Sequence, residues 1–133
     1  MLLPIIEKEI RKLWEAKIIP PLRFSNWVAN IILVQKKNGE IRICVDFRNL
    51  NRCSLKYNYP LTNMDYILQK FIGSKILSMS DGFSGYNQIL VYRKDREKTT
   101  FVTPSGTFMY KKMPFCLMNA YASFQWAMDI SFA

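Results

Sequence analysis

The sequence contains no histidine among its 133 residues. This absence excludes acid–base chemistry by imidazole and every zinc site that needs a histidine ligand. Cysteine is scarce as well. Cys44, Cys53 and Cys116 are odd in number and form no Cys-x-x-Cys pair, a pattern typical of free thiols in a reducing compartment. Any catalytic chemistry must therefore rest on carboxylates.

The sequence also lacks an export or membrane signal. Residues 1–7 have neither the basic start nor the long apolar run of a signal peptide. The longest uncharged stretch, Met113–Met128, contains Asn119, Ser123 and Gln125 and is shorter than a membrane span. We therefore expect an intracellular protein, cytoplasmic or nuclear, with no membrane partner.

Acidic residues are outnumbered by basic ones, 10 against 19, which gives a net charge of +9. The excess is uneven, because residues 1–57 carry 11 basic and five acidic residues (+6) and residues 58–133 carry eight and five (+3). Half of the residues are hydrophobic, enough for a packed core in one domain or part of one. A positive field of this kind attracts polyanions, so nucleic acid is the first partner to consider.

Helical and strand patterns alternate along the first third of the chain. Apolar residues recur at helical spacing at Ile6, Ile10, Leu13, Trp14 and Ile18. We expect Pro20-Pro21 to end this helix. Two apolar runs, residues 27–34 and 41–47, flank Asn38-Gly39, which predicts a β-hairpin with a tight turn.

A two-residue loop would pair Lys37 with Glu40 and Gln35 with Arg42. The inward face would then consist of Val34, Ile41, Ile43, Val45 and Phe47. The outward face would carry Lys37, Arg42 and Asp46. Charged residues of this kind are also typical of a solvated hairpin edge that binds no ligand.

The remaining patterns predict alternating short elements. Thr62 or Asn63 caps a helix that ends at Gly73 and whose apolar stripe suits core packing. A strand at residues 76–79 leads into Asp81. Further strands are predicted at residues 88–92, 99–103 and 107–112, and a last helix has its apolar stripe at Ala120, Phe124, Ala127 and Met128. Strands and helices without βαβ regularity indicate an α+β fold.

Several phrases, in their order along the chain, resemble the reverse transcriptase domain of gypsy-type LTR retrotransposons. The phrases are Ile31–Gly39, Arg42–Asn51, Tyr59–Leu61, Ser80–Ile89, Lys98–Phe101, Met113–Ala120 and Ser123–Gln125. Together they cover nearly all of the chain. The resemblance implies the fingers and partial palm of a right-hand polymerase, with residues 1–80 and 93–112 fingers-like and residues 81–92 and 113–133 palm-like.

The resemblance also implies a catalytic site. Asp81 matches the first of three carboxylates that hold Mg²⁺, with Mn²⁺ as an alternative, during nucleotidyl transfer. In the complete enzyme the partners would be an RNA or DNA template-primer and deoxynucleoside triphosphates. Read without the family, an aspartate before Gly82 is a common turn residue.

Five further residues match nucleotide-binding positions of the family. Lys36 and Arg42 match residues that neutralise the triphosphate, although the hairpin pairing above puts Lys37 on the face of Arg42. Tyr86 matches the residue that excludes a 2′-hydroxyl, Phe115 one that contacts the sugar, and Gln125 a polar position near the template. Tyr86, Phe115 and Gln125 would also suit simple packing.

Departures from the family pattern are equally specific. Cys116 and Tyr121 replace a glycine and a proline, and a side chain at position 116 is expected to obstruct the pocket. Gly82 replaces a leucine. No Tyr-x-Asp-Asp sequence occurs in the chain, so we expect a fragment that is inactive alone, and a non-catalytic nucleic-acid-binding module or an inert relic is the alternative.

Overall fold

The computed structural model describes residues 3–60, 63–77 and 85–132. It contains the helices α1 (Leu3–Glu15), α2 (Arg48–Cys53), α3 (Met64–Phe71) and α4 (Ala120–Ser131), and the strands β1 (Ala29–Gln35), β2 (Ile41–Val45), β3 (Phe101–Thr103) and β4 (Gly106–Phe108). Short 3₁₀ helices span Gly85–Gln88 and Arg93–Thr99. This mixture of helices and sheet confirms the expected α+β class.

The four strands form one sheet in the order β2-β1-β3-β4. The pairs β1/β2 and β3/β4 are antiparallel, whereas β1 and β3 run parallel with Ala29 opposite Phe101. The sheet of the described residues is therefore mixed. The parallel contact is not predicted by the sequence patterns, because periodicity does not reveal which distant strands become neighbours.

The core lies between α1 and the sheet. Ile6 and Ile10 of α1 are buried, and Phe101 of β3 is fully buried. The buried apolar cluster consists of Ile6, Ile10, Ile18, Ile19, Val45, Phe47, Val91, Phe101, Phe108 and Tyr110. Burial of this apolar surface is what holds the helix to the sheet.

Helix α1 ends earlier than predicted. The last helical residue is Glu15, and Lys17 adopts a left-handed backbone with φ of 59°. The N–H of Lys17 donates to the carbonyl of Trp14 (2.8 Å) and that of Ile18 to the carbonyl of Leu13 (3.0 Å), the two bonds of a Schellman cap. The prediction that Pro20-Pro21 stops the helix is wrong, because this cap ends it first.

The predicted β-hairpin is present, but its register differs by one residue. Gln35 lies opposite Ile41 and Val34 opposite Arg42. Lys36 and Glu40 close a three-residue loop in which Gly39 has φ of 87°, a common hairpin geometry. Because a slip of one residue exchanges the two faces of a strand, Val34 is exposed rather than inward, and Lys36 takes the face assigned to Lys37.

One predicted strand is not formed, and another lies partly outside the described residues. Residues 88–92 contain the end of a 3₁₀ helix and an isolated bridge between Leu90 and Lys112. Residues 76–77 are irregular, and residues 78–79 lie outside the described part. Helix α2 was in turn missed by the sequence patterns, since its six residues are too few to show helical periodicity.

Helix α3 begins as predicted, with the Asn63 side chain accepting a hydrogen bond from the N–H of Asp65. The prediction that its apolar stripe packs in the core is wrong. Met64, Leu68 and Phe71 are all about half exposed or more, and no residue of α3 is buried.

Helix α4 confirms the predicted last helix. Ala120 is buried, and Phe124, Ala127 and Met128 are half-buried on the same side. Neither α4 nor any other helix within the described ranges is long and apolar enough to cross a bilayer.

Candidate functional site

Arg42 projects from the outward face of β2, opposite Val34. Its guanidinium carbon lies 4.1 Å from the centroid of the Phe115 ring, a cation–π contact that orients the planar group. No carboxylate in the described part of the chain forms an ion pair with Arg42. Within the described residues its N–H groups therefore have no carboxylate partner, and a fixed guanidinium fork suits phosphate oxygens.

The loop that carries Phe115 is held by one amide side chain of α2. The Nδ2 of Asn51 donates to the carbonyl of Cys116 (3.3 Å), and its Oδ1 accepts from the N–H of Met118 (2.9 Å). These two bonds fix the backbone directly after Phe115. Sequence reasoning gave Asn51 no role, although it ends the phrase Arg42–Asn51 in the family resemblance.

Asn119 makes an equivalent double contact at the start of α4. Its Nδ2 donates to the carbonyl of Leu55 (2.8 Å), and its Oδ1 accepts from the N–H of Tyr57 (2.8 Å). The segment after α2 is thereby tied to α4. This positioning residue was also missed, and its only signal in the sequence is its place in the phrase Met113–Ala120.

Tyr86 lies in the 3₁₀ helix Gly85–Gln88 and packs edge-on against Phe124 of α4, with 5.2 Å between ring centroids. A Cβ atom at Gly85 would lie 2.8 Å from Cε2 of Phe124. The absence of a side chain at position 85 therefore permits the close approach that places the ring of Tyr86.

Arg42, Tyr86 and Phe115 meet at one cavity of about 200 Å³. The structure thus brings together three of the five residues that the sequence assigns to nucleotide binding. The cavity is also lined by Glu9, Leu13, Ile43, Asn87, Tyr110 and Pro114. Burial raises the pKa of Tyr110, so its hydroxyl remains neutral at physiological pH.

Lys36 lies on the same hairpin face as Arg42 but does not line the cavity. Its Nζ forms an ion pair with Oε2 of Glu40 at 3.1 Å, and the hydrogen bond from Lys36 lowers the pKa of Glu40. Lys37 instead lies in the turn of the hairpin.

Gln125 lies away from the cavity. Its Nε2 donates to Oδ1 of Asp129 (3.1 Å), and the Tyr59 hydroxyl donates to the other oxygen of Asp129. The hydrogen bond to Asp129 raises the pKa of Tyr59. The bond from Tyr59 connects the segment before α3 to α4, whereas the bond from Gln125 lies within α4.

Cys116 is half-buried and packs against the apolar core. Burial raises the pKa of its thiol. Cys116 is not among the residues that line the cavity, and the obstruction expected from a side chain at position 116 stays a prediction.

Asp81 and Gly82 lie outside the described residues. Within residues 3–60, 63–77 and 85–132, no group of three or more histidine, cysteine, aspartate or glutamate side chains is arranged to hold a metal ion. The described residues therefore do not form a metal site by themselves.

Comparison with known proteins identifies a family. Residues 34–133 match the family model "Reverse transcriptase (RNA-dependent DNA polymerase)". The chain is 34% identical over 130 residues to the Pol polyprotein of the transposon gypsy of Drosophila melanogaster, and 33% identical over 130 residues to the enzymatic polyprotein of cauliflower mosaic virus strain CM-1841. These alignments cover 93% and 95% of this chain but only 12% and 19% of the two polyproteins.

Solved structures with the same fold include the foamy viral protease-reverse transcriptase. In complex with an RNA/DNA hybrid it matches 95% of this chain with a TM-score of 0.78 and 17% identity. In complex with double-stranded DNA it matches 97% with a TM-score of 0.77 and 16% identity. The matches cover 17% and 27% of those chains.

Proposed function

This chain belongs to the reverse transcriptase (RNA-dependent DNA polymerase) family, and we propose that it supplies the surface that holds the incoming deoxynucleoside triphosphate during template-directed DNA synthesis. The observation that carries the proposal is the meeting of Arg42, Tyr86 and Phe115 around one cavity. Three residues assigned from separate motifs converge there, although 73 positions separate the first from the last.

The chemistry of the cavity supports a division of roles. Arg42 binds phosphate oxygens through its N–H groups, and Phe115 keeps the guanidinium in place while its ring borders the sugar. Tyr86, supported by Phe124, excludes a 2′-hydroxyl. At about 200 Å³ the cavity is smaller than the roughly 300–1,000 Å³ of whole-ligand pockets, so it receives part of the nucleotide.

Lys36 is the second cation in the proposal. Its support is the hairpin register, which puts it on the face of Arg42 and leaves Lys37 in the turn. Lys36 would exchange its exposed contact with Glu40 for a phosphate, because solvent screening makes such surface pairs weak. We also propose that Gln125 lies near the template, because it matches a template-side position of the family.

Family membership implies a divalent metal ion in the complete enzyme. We propose Mg²⁺, with Mn²⁺ as an alternative, because hard carboxylate and phosphate oxygens are the ligands these ions prefer. Asp81 is the proposed catalytic carboxylate and metal ligand. Its support is the motif Ser80–Ile89.

The proposed macromolecular partner is an RNA or DNA template-primer. Support comes from the net charge of +9 and from the foamy viral structures, which hold an RNA/DNA hybrid and double-stranded DNA. Residues 1–80 and 93–112 are proposed as fingers-like, and residues 81–92 and 113–133 as palm-like. The support is that β1 to β4, which form one sheet, all lie within the two fingers-like ranges.

Two finer assignments belong to the same proposal. A gypsy-type origin is favoured by the gypsy and 412 transposon relatives, although the cauliflower mosaic virus relative is equally similar. An intracellular location, cytoplasmic or nuclear, is favoured by the free thiols of Cys44, Cys53 and Cys116.

The test is a titration of the 133-residue chain with dGTP, in which NMR chemical shifts report nucleotide binding. We expect shifts at Arg42, Tyr86 and Phe115. Arg42→Ala should weaken binding about tenfold or more, because a hydrogen bond to a charged group contributes roughly 1.5–3 kcal/mol and 1.4 kcal/mol is a factor of ten. Tyr86→Ala should raise the affinity for GTP relative to dGTP.

Arg52→Ala is the matched control, since Arg52 is an exposed arginine of α2 and does not line the cavity. It removes the same charge and should change binding little. Equal weakening by Arg42→Ala and Arg52→Ala, or shifts that cluster away from the cavity, would refute the proposal.

A further inference from the structure

A second surface lies on the other flank of α1. It surrounds a cavity of about 610 Å³ lined by Arg11, Trp14, Lys17, Ile19, Pro20, Pro21 and Lys111 together with Glu15. At about 100° per residue, Arg11 and Glu15 project from the side of the helix opposite Glu9 and Leu13, which line the nucleotide cavity. The two sites are therefore separate.

The floor of this second cavity is held rigidly. Ile19 is fully buried, the N–H of Met109 donates to the carbonyl of Pro20 (3.1 Å), and the N–H of Lys111 donates to the carbonyl of Ile18 (2.9 Å). The site is thus formed before any ligand arrives, which reduces the entropy lost on binding.

The wall of the cavity presents an aromatic side chain to solvent. Trp14 is 55% exposed, although its ring lies 6.0 Å from that of Phe108. A supported, half-exposed indole offers a face on which a nucleobase can stack, and such stacking does not depend on the base.

The charge around the cavity is positive. Arg11, Lys17 and Lys111 face one carboxylate, Glu15, and none of the three cations forms an ion pair with a residue of the described ranges. Cations left without partners attract a polyanion.

We propose that this surface binds an unpaired nucleic-acid strand, with a base stacked on Trp14 and phosphates at Arg11, Lys17 and Lys111. The inference rests on the proposed function, because the strand that this surface would bind is the single-stranded part of a template. An acidic peptide would satisfy the cations, but it would leave the indole without a stacking partner.

The test is fluorescence anisotropy of the 133-residue chain with a labelled single-stranded oligonucleotide and with a blunt duplex. We expect the single strand to quench tryptophan emission and Trp14→Leu to weaken its binding about tenfold, whereas Trp126→Leu, at another half-exposed tryptophan, should change it little. Lys111→Gln should reduce the log–log salt slope by about 0.7, and Lys56→Gln should not.

Several results would overturn the inference. One is that Trp14→Leu and Trp126→Leu weaken single-strand binding equally. Another is that Trp14→Leu weakens duplex binding as much as it weakens single-strand binding. A third is that poly-glutamate displaces the single strand when both are present at equal charge concentration. Because Trp14 also contacts Phe108, Trp14→Tyr serves as the folded comparison and should retain most of the affinity. Arg42→Ala should weaken dGTP binding and leave single-strand binding unchanged, so failure of one proposal is distinguishable from failure of the other.

Discussion

Gly85 and Phe124 approach each other more closely than a side chain at position 85 would permit. The contact matters because Phe124 in turn supports Tyr86 at the cavity. Gly85 has no positive φ, so its role is to leave space rather than to adopt an unusual backbone. A residue without a side chain thereby determines where an aromatic ring of the site lies.

Gly85→Ala should displace the Phe124 ring, lower the free energy of unfolding by roughly 1–3 kcal/mol and weaken dGTP binding, because added volume in a packed contact forces neighbours to move. Urea denaturation and the nucleotide titration measure both effects. In a Phe124→Leu background the same substitution should be much milder, and an undiminished loss there would contradict the steric explanation.

Among the elements, the α2 helix and the loop after Phe115 depend on each other. Asn51 connects them through hydrogen bonds to Cys116 and Met118, some 65 residues away along the chain. Helix α2 has no fully buried residue, and its apolar contact with the core is the half-buried Leu50, so the polar bonds of Asn51 add to what holds the helix in position.

Asn51→Ala should lower the free energy of unfolding by about 1–3 kcal/mol, because it removes two hydrogen bonds that each contribute roughly 0.5–1.5 kcal/mol. Hydrogen exchange at the Met118 amide should accelerate as well. Asn49→Ala is the matched control on the same helix at an exposed position, and it should change stability by no more than about 0.5 kcal/mol. Similar losses in the two variants would show that the bonds of Asn51 contribute nothing specific.

The elements also show what the sequence could predict. The hairpin, the Asn63 cap and the stripe of α4 depend on neighbouring residues, and each was predicted correctly in kind. The hairpin register was wrong because Asn38-Gly39 fits loops of two or three residues equally well. The parallel contact of β1 with β3 and the bonds of Asn51 join distant residues, and no local pattern reports them. The meeting of Arg42, Tyr86 and Phe115 at one cavity was indicated by the motif resemblance and not by periodicity.

At the scale of the whole molecule, the dominant property is the excess of 19 basic over 10 acidic residues. The salt bridges of the described residues join partners that are three or four positions apart or closer, and most are exposed. Such pairs neutralise charge locally and leave the long-range positive field in place.

We therefore expect sequence-independent binding to an RNA/DNA hybrid that weakens steeply with salt, since each phosphate neutralised contributes roughly −0.9 to the log–log slope on a duplex. Anisotropy between about 50 and 200 mM salt measures the slope, with two hybrids of unrelated sequence as mutual controls. An affinity that does not change across this range would contradict an electrostatic origin.

The parallel pairing of Ala29 with Phe101 has a consequence for synthesis on the ribosome. Strand β1 can pair with β2 as soon as residue 45 has emerged, but its other edge waits for residues 101–103. At about 5–20 residues per second, the roughly 60 intervening residues take on the order of 3–12 s to translate. During that interval an apolar strand edge is open to other nascent chains, so the yield of folded protein should depend on translation speed and on chaperones that cover the edge of β1.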